Sequence, residues 1–274
     1  MEKIEKKWSL ITGASRGIGR CLAVELAKKN INIIAIARSQ NELNTLKVEI
    51  EELGCECLLI KQDLSEGDAP KNVFQAIPSE TLRYLHAVCL NAALSALGPF
   101  SQTPAEVIEK IVAVNINFNA KFSRLILPYL ENNKSSYIFF FSSQGAIIPT
   151  PWMATYAATK SFIHYFSLAL SYEYKDSNVK IVTVVPAPTQ SSVLEKLQVT
   201  ERIKNKFPQG SPAPEIVKKI TDALEAPSSR IATNVEAFYL FKVFISILPT
   251  ALLLKMSAKM MSAFSKEAFY EKPP

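Results

Sequence analysis

Six short, continuously apolar segments alternate along the chain with stretches of helical periodicity. The apolar segments are rich in β-branched residues, and their unbroken hydrophobicity is typical of strands that are covered on both faces. The stretches between them place apolar side chains on one helical face, as Ile18, Leu22 and Leu26 do. This order predicts an α/β chain with a doubly wound parallel sheet, helices on both faces and right-handed connections. The predicted strands are Trp8–Thr12, Ile31–Ala37, Cys55–Lys61, Leu85–Leu90, Tyr137–Phe141 and Val179–Val185.

The C-terminal part of the sequence is less regular. Residues 186–214 are rich in Pro, Ser and Gln and are predicted to form a long loop over a substrate site. The segment from Ala237 to Leu254 is mostly apolar, but Lys242 and Pro249 interrupt it, so a buried or interfacial helix pair is favoured over a transmembrane helix. We therefore expect a single Rossmann-type domain over residues 1–234 and an apolar helical extension over residues 235–274.

Composition limits the classes of partner. The net charge is +6, but the Lys and Arg residues are scattered and no arginine-rich arm is present, so no nucleic-acid partner is predicted. The four cysteines lie in or beside apolar stretches without a CxxC pair, which predicts reduced thiols and a cytoplasmic location. Because the chain has only two histidines and its cysteines are dispersed, no metal site is predicted.

A glycine-rich turn directly follows the first predicted strand. Gly13, Gly17 and Gly19, three of only eight glycines, fall within the run TGASRGIG, which opens the first predicted helix. Glycines there permit a tight turn and let backbone N–H groups approach a pyrophosphate at the positive end of the helix. A plain turn would not need three glycines, so the run predicts nucleotide binding, with GxxxGxG spacing rather than GxGxxG.

The residue after the second predicted strand indicates which nucleotide binds. An acidic residue at that place holds the ribose 2′-hydroxyl of NAD, whereas a cation accommodates the 2′-phosphate of NADP. Arg38 occupies the place, and Arg16 of the glycine loop can approach the same phosphate. The sequence therefore favours NADP(H), and the alternative is a merely solvated Arg38.

Tyr156 and Lys160 are four residues apart, which puts them on one face of a helix. A nearby ammonium favours the phenolate and lowers the pKa of a tyrosine, so the pair suits general acid–base work near neutrality. Taken alone, the pair is also compatible with a solvated helix face.

Together these three features resemble the short-chain dehydrogenase/reductase family, from about Trp8 to the C-terminus. The glycine run matches the family's TGxxxGxG motif, and the resemblance implies a Rossmann fold that binds NADP(H). The sequence Leu90-Asn91-Ala92-Ala93 departs from the family's NNAG at its first and last positions. The resemblance implies that Asp63 contacts the adenine. The cofactor contacts that it implies are Thr12, Gly13, Ser15, Arg16, Gly17, Ile18, Gly19, Arg38, Asp63, Leu64, Asn91, Ala92, Tyr156, Lys160, Pro186 and Ser191.

The resemblance also implies a catalytic tetrad of Asn115, Ser143, Tyr156 and Lys160. Ser143 lies thirteen residues before Tyr156, the family's usual interval for the serine that polarises the carbonyl group, and Ser142 is its adjacent competitor. Tyr156 would donate the proton, and Lys160 would tune it and hold the nicotinamide ribose. Asn115 would bind a water in the proton relay.

The expected function is NADPH-dependent interconversion of a carbonyl group and a secondary alcohol. Apolar residues between Ser143 and Tyr156 favour an apolar substrate, and the tail resembles that of members acting on lipids and steroids. A non-catalytic NADP(H)-sensing protein on the same fold is the alternative, and a peripheral membrane or scaffolding role of the tail is a third. The resemblance also implies a homodimer or homotetramer through the helix beginning near Pro104 and the helix carrying Tyr156.

Overall fold

The chain is organised around one seven-stranded parallel sheet, with strand order β3-β2-β1-β4-β6-β7-β8. The computed structural model describes residues 6–186, 213–225, 231–233, 243–262, 265–266 and 269–270. Its strands are β1 (Trp8–Thr12), β2 (Asn32–Ala37), β3 (Cys57–Lys61), β4 (Leu85–Leu90), β5 (Ala96–Leu97), β6 (Ser136–Phe141), β7 (Val179–Val185), β8 (Ile231–Thr233) and β9 (Phe269–Tyr270). The two shortest, β5 and β9, form a separate antiparallel pair.

Helices cover both faces of the large sheet. The helices of the described residues are α1 (Gly17–Ala27), α2 (Gln40–Glu52), α3 (Ala69–Gln75), α4 (Ser79–Leu82), α5 (Ala105–Val112), α6 (Asn119–Glu131), α7 (Ala154–Glu173), α8 (Ala213–Glu225) and α9 (Thr250–Met261). A π-helical stretch, Ala113–Phe118, joins α5 to α6, and short 3₁₀ turns lie at Phe100–Gln102 and Gln144–Ala146.

Alternate residues of each central strand enter two different apolar clusters. In β6, Phe139 belongs to the cluster under α1 and α2, whereas Ile138 and Phe140 belong to the one under α3, α6 and α7. A strand that is buried on both faces needs apolar residues at every position, which is why the six predicted segments read as continuous runs. All six are strands with bounds within two residues of those predicted, and the doubly wound Rossmann fold is confirmed.

Helix α8 packs beside α1, although most of the chain separates them in sequence. Ile216 and Ile220 lie in the same buried cluster as Leu22 and Leu26. The hydroxyl of Tyr137 on β6 also donates a hydrogen bond to the carbonyl of Leu224, at 3.1 Å. The first helix is therefore covered by one of the last.

The predicted helix pair of the tail is present in part. A helical turn spans residues 243–246, and α9 begins directly after Pro249. Ile245 is buried, but Leu252 and Met256 are exposed, so this segment lies at the surface. In the part of the chain described here, no helix has the length and apolarity that crossing a membrane requires. The domain boundary after residue 234 stays a prediction, while β9 returns to pair with the Rossmann domain.

Candidate active site

The sequence-predicted residues gather at the carboxyl ends of the strands. Strand β1 lies between β2 and β4, so chain connections run in opposite directions from this point of the sheet. Open α/β sheets bind ligands in the crevice at such a switch point. The glycine loop follows β1, and Asn91 follows β4.

The glycine loop is tightly folded. Gly13 and Gly17 have φ angles of +67° and +57°, the left-handed region that favours glycine. A Cβ atom at Gly19 would lie 2.3 Å from the carbonyl oxygen of Gly13, so only glycine fits there. Helix α1 begins at Gly17 with no side-chain cap from Arg16 and no acidic residue in its first turn. This first turn suits a bound phosphate, because its backbone N–H groups and its positive dipole end favour an anion.

Thr12 and Asn91 fasten this loop to the end of β4. The Asn91 amide donates to the carbonyl oxygens of Thr12 and Gly13, at 3.0 and 3.4 Å. The buried Thr12 hydroxyl accepts from the backbone N–H of Ala92 at 3.0 Å. These two side chains therefore hold the shape of the cofactor site.

The remaining cofactor positions differ in what they expose. Arg38 follows β2 and is exposed, as is Arg16, and the backbone N–H of Gly13 donates to Ile36 of β2 at 2.8 Å. The glycine loop thus lies against the strand end that carries Arg38.

Two residues after β3 are held more firmly than the sequence suggests. The Asp63 carboxylate accepts from the backbone N–H and the hydroxyl of Ser65, at 2.9 and 2.8 Å. Leu64 has a buried side chain in the core, which leaves its backbone as the group that can meet a cofactor.

Pro186 is half-buried at the end of β7, and Ser191 lies outside the described residues.

The two candidate serines after β6 face different partners. Ser143 is half-buried, its hydroxyl accepts from the backbone N–H of Gly145 at 3.2 Å, and it hydrogen-bonds Tyr156. Ser142 is buried, and its hydroxyl donates to the backbone carbonyl of Lys160 at 3.1 Å. The geometry brings Ser143, and not Ser142, to the tyrosine hydroxyl.

Lys160 is buried beside Tyr156, as the spacing predicts, but the pKa expectation is wrong for the structure described. Its ammonium lies 5.7 Å from the centre of the Tyr156 ring and donates to the Phe141 carbonyl at 2.7 Å. Burial raises the pKa of Tyr156, and its hydrogen bond with Ser143 lowers the pKa by less. The net shift is upward, because loss of water around the phenolate dominates.

Asn115 lies in the π-helical stretch and is 1% exposed. Its side-chain amide accepts from the backbone N–H of Leu94 and donates to the Leu94 carbonyl and to the Thr159 hydroxyl, each at 2.9 Å. Thr159 in turn donates to the backbone carbonyl of Tyr156 at 2.8 Å. The side chain of Asn115 thus joins the loop after β4 to α7, and the water contact expected of Asn115 stays a prediction.

Asn119 is a site residue that the sequence reasoning missed. It is buried and donates to the backbone carbonyls of Asn115 and Val114, at 2.8 and 3.3 Å. Backbone hydrogen bonds of a π-helical turn run to the residue five positions on instead of four, and the Asn119 amide adds a side-chain hydrogen bond to each of these two carbonyls. Its spacing in the sequence could have indicated this contact, since Asn119 follows Asn115 by one helical turn.

A profile of the short chain dehydrogenase family matches residues 7–202. The chain is 29% identical over 97% of its length to a very-long-chain 3-oxoacyl-CoA reductase of Anas platyrhynchos, of which the match covers 84%. It is 32% identical over 68% of its length to the inactive hydroxysteroid dehydrogenase-like protein 1 of Rattus norvegicus. That match spans 57% of the rat protein, and matches to several other relatives span a similar share of their length.

Among solved structures, the chain is similar to a short-chain dehydrogenase from Sphingobium yanoikuyae in complex with NADPH. The TM-score is 0.76 at 22% identity, over 89% of this chain and 97% of that one. This likeness supports the fold.

Proposed function

Because the chain belongs to the short-chain dehydrogenase/reductase family, we propose that it reduces the carbonyl group of an apolar substrate with NADPH and oxidises the corresponding alcohol in reverse. The predicted family is confirmed, since the matched residues 7–202 contain the glycine loop and all four tetrad positions. The observation that carries the proposed activity is the placement of Ser143 beside the Tyr156 hydroxyl, with the Lys160 ammonium 5.7 Å from the centre of the ring.

Each tetrad side chain has a part in this proposal. When bound, NADPH supplies the hydride that reduces the carbonyl carbon. The hydroxyls of Ser143 and Tyr156 bind the substrate oxygen between them, and Tyr156 gives its proton to that oxygen as the alcohol forms. Lys160, whose ammonium lies 5.7 Å from the centre of the Tyr156 ring, would hold the nicotinamide ribose of the bound cofactor. Asn115 keeps the loop after β4 in register with α7, through Leu94 and Thr159.

The residues of the glycine loop fit NADP(H). The uncapped first turn of α1 suits the pyrophosphate, and the exposed Arg38 and Arg16 suit a 2′-phosphate. Calorimetric titration with NADPH and with NADH tests the cofactor. Binding of NADPH about tenfold to a hundredfold tighter is expected, because a charge-assisted phosphate contact contributes roughly 1.5–3 kcal/mol.

An apolar substrate is proposed from the segment between Ser143 and Tyr156. Ile147, Ile148 and Trp152 are half-buried there. The names of the relatives, a reductase of very long acyl chains and a hydroxysteroid dehydrogenase-like protein, agree with a bulky apolar ketone. Reduction rates should rise along a series of ketones of increasing chain length, since each buried methylene contributes up to about 0.8 kcal/mol. A flat series would exclude the apolar site.

A non-catalytic NADP(H)-sensing protein is the second candidate, because one relative carries the word inactive in its name. The filled tetrad argues against it. A steady-state assay with NADPH and a bulky ketone decides, since tight NADPH binding without turnover of any ketone or alcohol would favour the sensor.

We propose a homodimer or homotetramer that pairs through α7. Phe162, Tyr165 and Tyr172 are exposed aromatic residues at helical spacing on this helix. Buried in a symmetric interface, they would remove apolar area from water. Light scattering should report at least a dimer at micromolar concentration, and Tyr165→Glu should shift it towards monomer.

We also propose peripheral contact of the tail with an anionic membrane. Leu252, Leu254 and Met256 of α9 are exposed, and Lys255 and Lys259 are the charged residues between 243 and 262. Apolar burial together with about 1 kcal/mol per lysine favours an anionic lipid surface. Sedimentation with phosphatidylserine-containing vesicles should exceed that with phosphatidylcholine alone. Met256→Glu should abolish the difference.

The matched control for the membrane proposal is Val48→Glu, which changes an exposed apolar residue of α2. Equal sedimentation of wild type and Met256→Glu would exclude the tail as the contact.

The free state of all four cysteines supports a reducing, cytoplasmic location for the protein.

A further inference from the structure

The loop after β4 is attached to three parts of the molecule in succession. At its start, Leu94 exchanges two hydrogen bonds with the Asn115 side chain, both at 2.9 Å. In its middle, β5 pairs with β9, with Ala96 opposite Tyr270 and Leu97 opposite Phe269. At its end, the backbone N–H of Gly98 donates to the carbonyl of Trp152 at 2.8 Å.

These attachments link the loop to one proposed catalytic residue and to the apolar segment between Ser143 and Tyr156. Asn115 belongs to the tetrad, and Trp152 lies in the segment that leads from Ser143 to Tyr156. Trp152 has a φ of +60°, which is uncommon for an aromatic residue and needs support from its surroundings. The hydrogen bond from Gly98 to its carbonyl is one such support.

The C-terminal strand contributes packing as well as pairing. Tyr270 packs against a small apolar cluster of Ala96, Val107 and Ile111, which Leu94 also contacts. Phe269 and Leu97 are both buried. This cluster joins the loop to α5, which in turn packs against α7. Without β9, Ala96 and Leu97 would lose their strand partner and part of their cover.

We propose that β9 holds the substrate-side rim of the active site, with Phe269 and Tyr270 as positioning residues that act through residues 94–98. This role rests on the proposed reductase function, because the rim matters only where an apolar substrate binds. Because the two residues pair with Ala96 and Leu97, we expect them to set the shape of the rim and to leave proton transfer and cofactor binding unchanged.

The test compares two truncated proteins. One ends at Ala268 and lacks β9, whereas the matched control ends at Tyr270 and keeps it. Hydrogen exchange followed by mass spectrometry, with no substrate present, should show residues 94–98 exchanging about tenfold faster in the shorter protein only. In ketone reduction, the shorter protein should have a KM raised about tenfold, with kcat and NADPH affinity changed less than about twofold.

A second pair of variants keeps the chain length constant. Tyr270→Ala should reproduce the exchange and KM effects, and Tyr270→Phe should keep the wild-type values because packing is retained. Unchanged exchange at residues 94–98 in both the shorter truncation and Tyr270→Ala would overturn the proposal. The proposal would also be overturned if the protein ending at Tyr270 showed the same change in exchange and KM as the protein ending at Ala268. Wild-type protein without any reductase activity would instead refute the proposed function, while the exchange comparison would still decide the role of β9.

Discussion

Replacing Gly19 by alanine should weaken both the fold and NADPH binding. The added Cβ atom would lie 2.3 Å from the Gly13 carbonyl oxygen and 2.7 Å from the Asn91 amide nitrogen. Ordinary van der Waals contact begins at 3.4 Å, so the oxygen has to move by about 1 Å. That oxygen belongs to backbone in a tight turn, which has little freedom to give way.

The expected cost follows from these contacts. Overpacking of a close-fitting site destabilises a protein by about 1–3 kcal/mol, and loss of the hydrogen bonds from Asn91 adds about 1 kcal/mol. The free energy of unfolding should therefore fall by roughly 2–4 kcal/mol. Each kcal/mol lost lowers Tm by about 2–4 °C in a domain of this size. Because the displaced backbone leads into the first turn of α1, NADPH affinity should fall at least about tenfold.

Urea unfolding and fluorescence titration with NADPH measure the two effects separately. Gly67→Ala is the matched control, since a Cβ atom at Gly67 meets nothing within 4 Å and its φ lies outside the left-handed region. The steric reasoning is refuted by a Gly19→Ala protein that unfolds within about 0.5 kcal/mol of the wild type, the ordinary range of a surface change.

Four further predictions concern the site. Arg38→Asp should reverse or abolish the preference for NADPH in calorimetry, and equal affinity of the wild type for both cofactors would contradict the assignment. Tyr156→Phe should remove most turnover at unchanged NADPH affinity, whereas Lys160→Ala should lower both, and near-normal turnover of Tyr156→Phe would give the acid role to another group. Ser143→Ala should lower kcat far more than Ser142→Ala, which loses only a buried hydrogen bond to the backbone; equal effects would reopen the choice. Burial raises the pKa of Tyr156 above the ordinary tyrosine pKa of about 10, so the phenol is protonated at neutral pH. The value of kcat/KM for reduction should therefore be flat from about pH 6 to 9 and fall only at higher pH. A fall near pH 7 would show that Lys160 dominates.

The strands of the sheet could be predicted because burial on both faces demands unbroken apolar runs. Strand β8 was missed, since its three residues are too few to show a pattern. The pairing of β5 with β9 was missed for a different reason. Each strand has two residues, and their partnership joins distant parts of the chain, which no local pattern reports.

For the site, spacing predicted that Tyr156 and Lys160 are neighbours, but the direction in which the pKa of Tyr156 shifts depends on tertiary burial. The ammonium donates to the Phe141 carbonyl because α7 packs on the end of β6, which the spacing within α7 does not reveal. The amide of Asn119 donates to a backbone carbonyl of a π-helical turn, and the sequence did not predict that turn.

The packing of α8 against α1 has a consequence for how the protein is made. Leu22 and Leu26 emerge early from the ribosome, but Ile216 and Ile220, which share their cluster, emerge only after most of the chain. Until then, the apolar face of α1 lacks this cover, and such surfaces are where nascent chains aggregate or recruit chaperones. The family match ends at residue 202, so a fragment cut at that point would lack α8. Expression of the protein therefore calls for a chain that extends at least to Glu225.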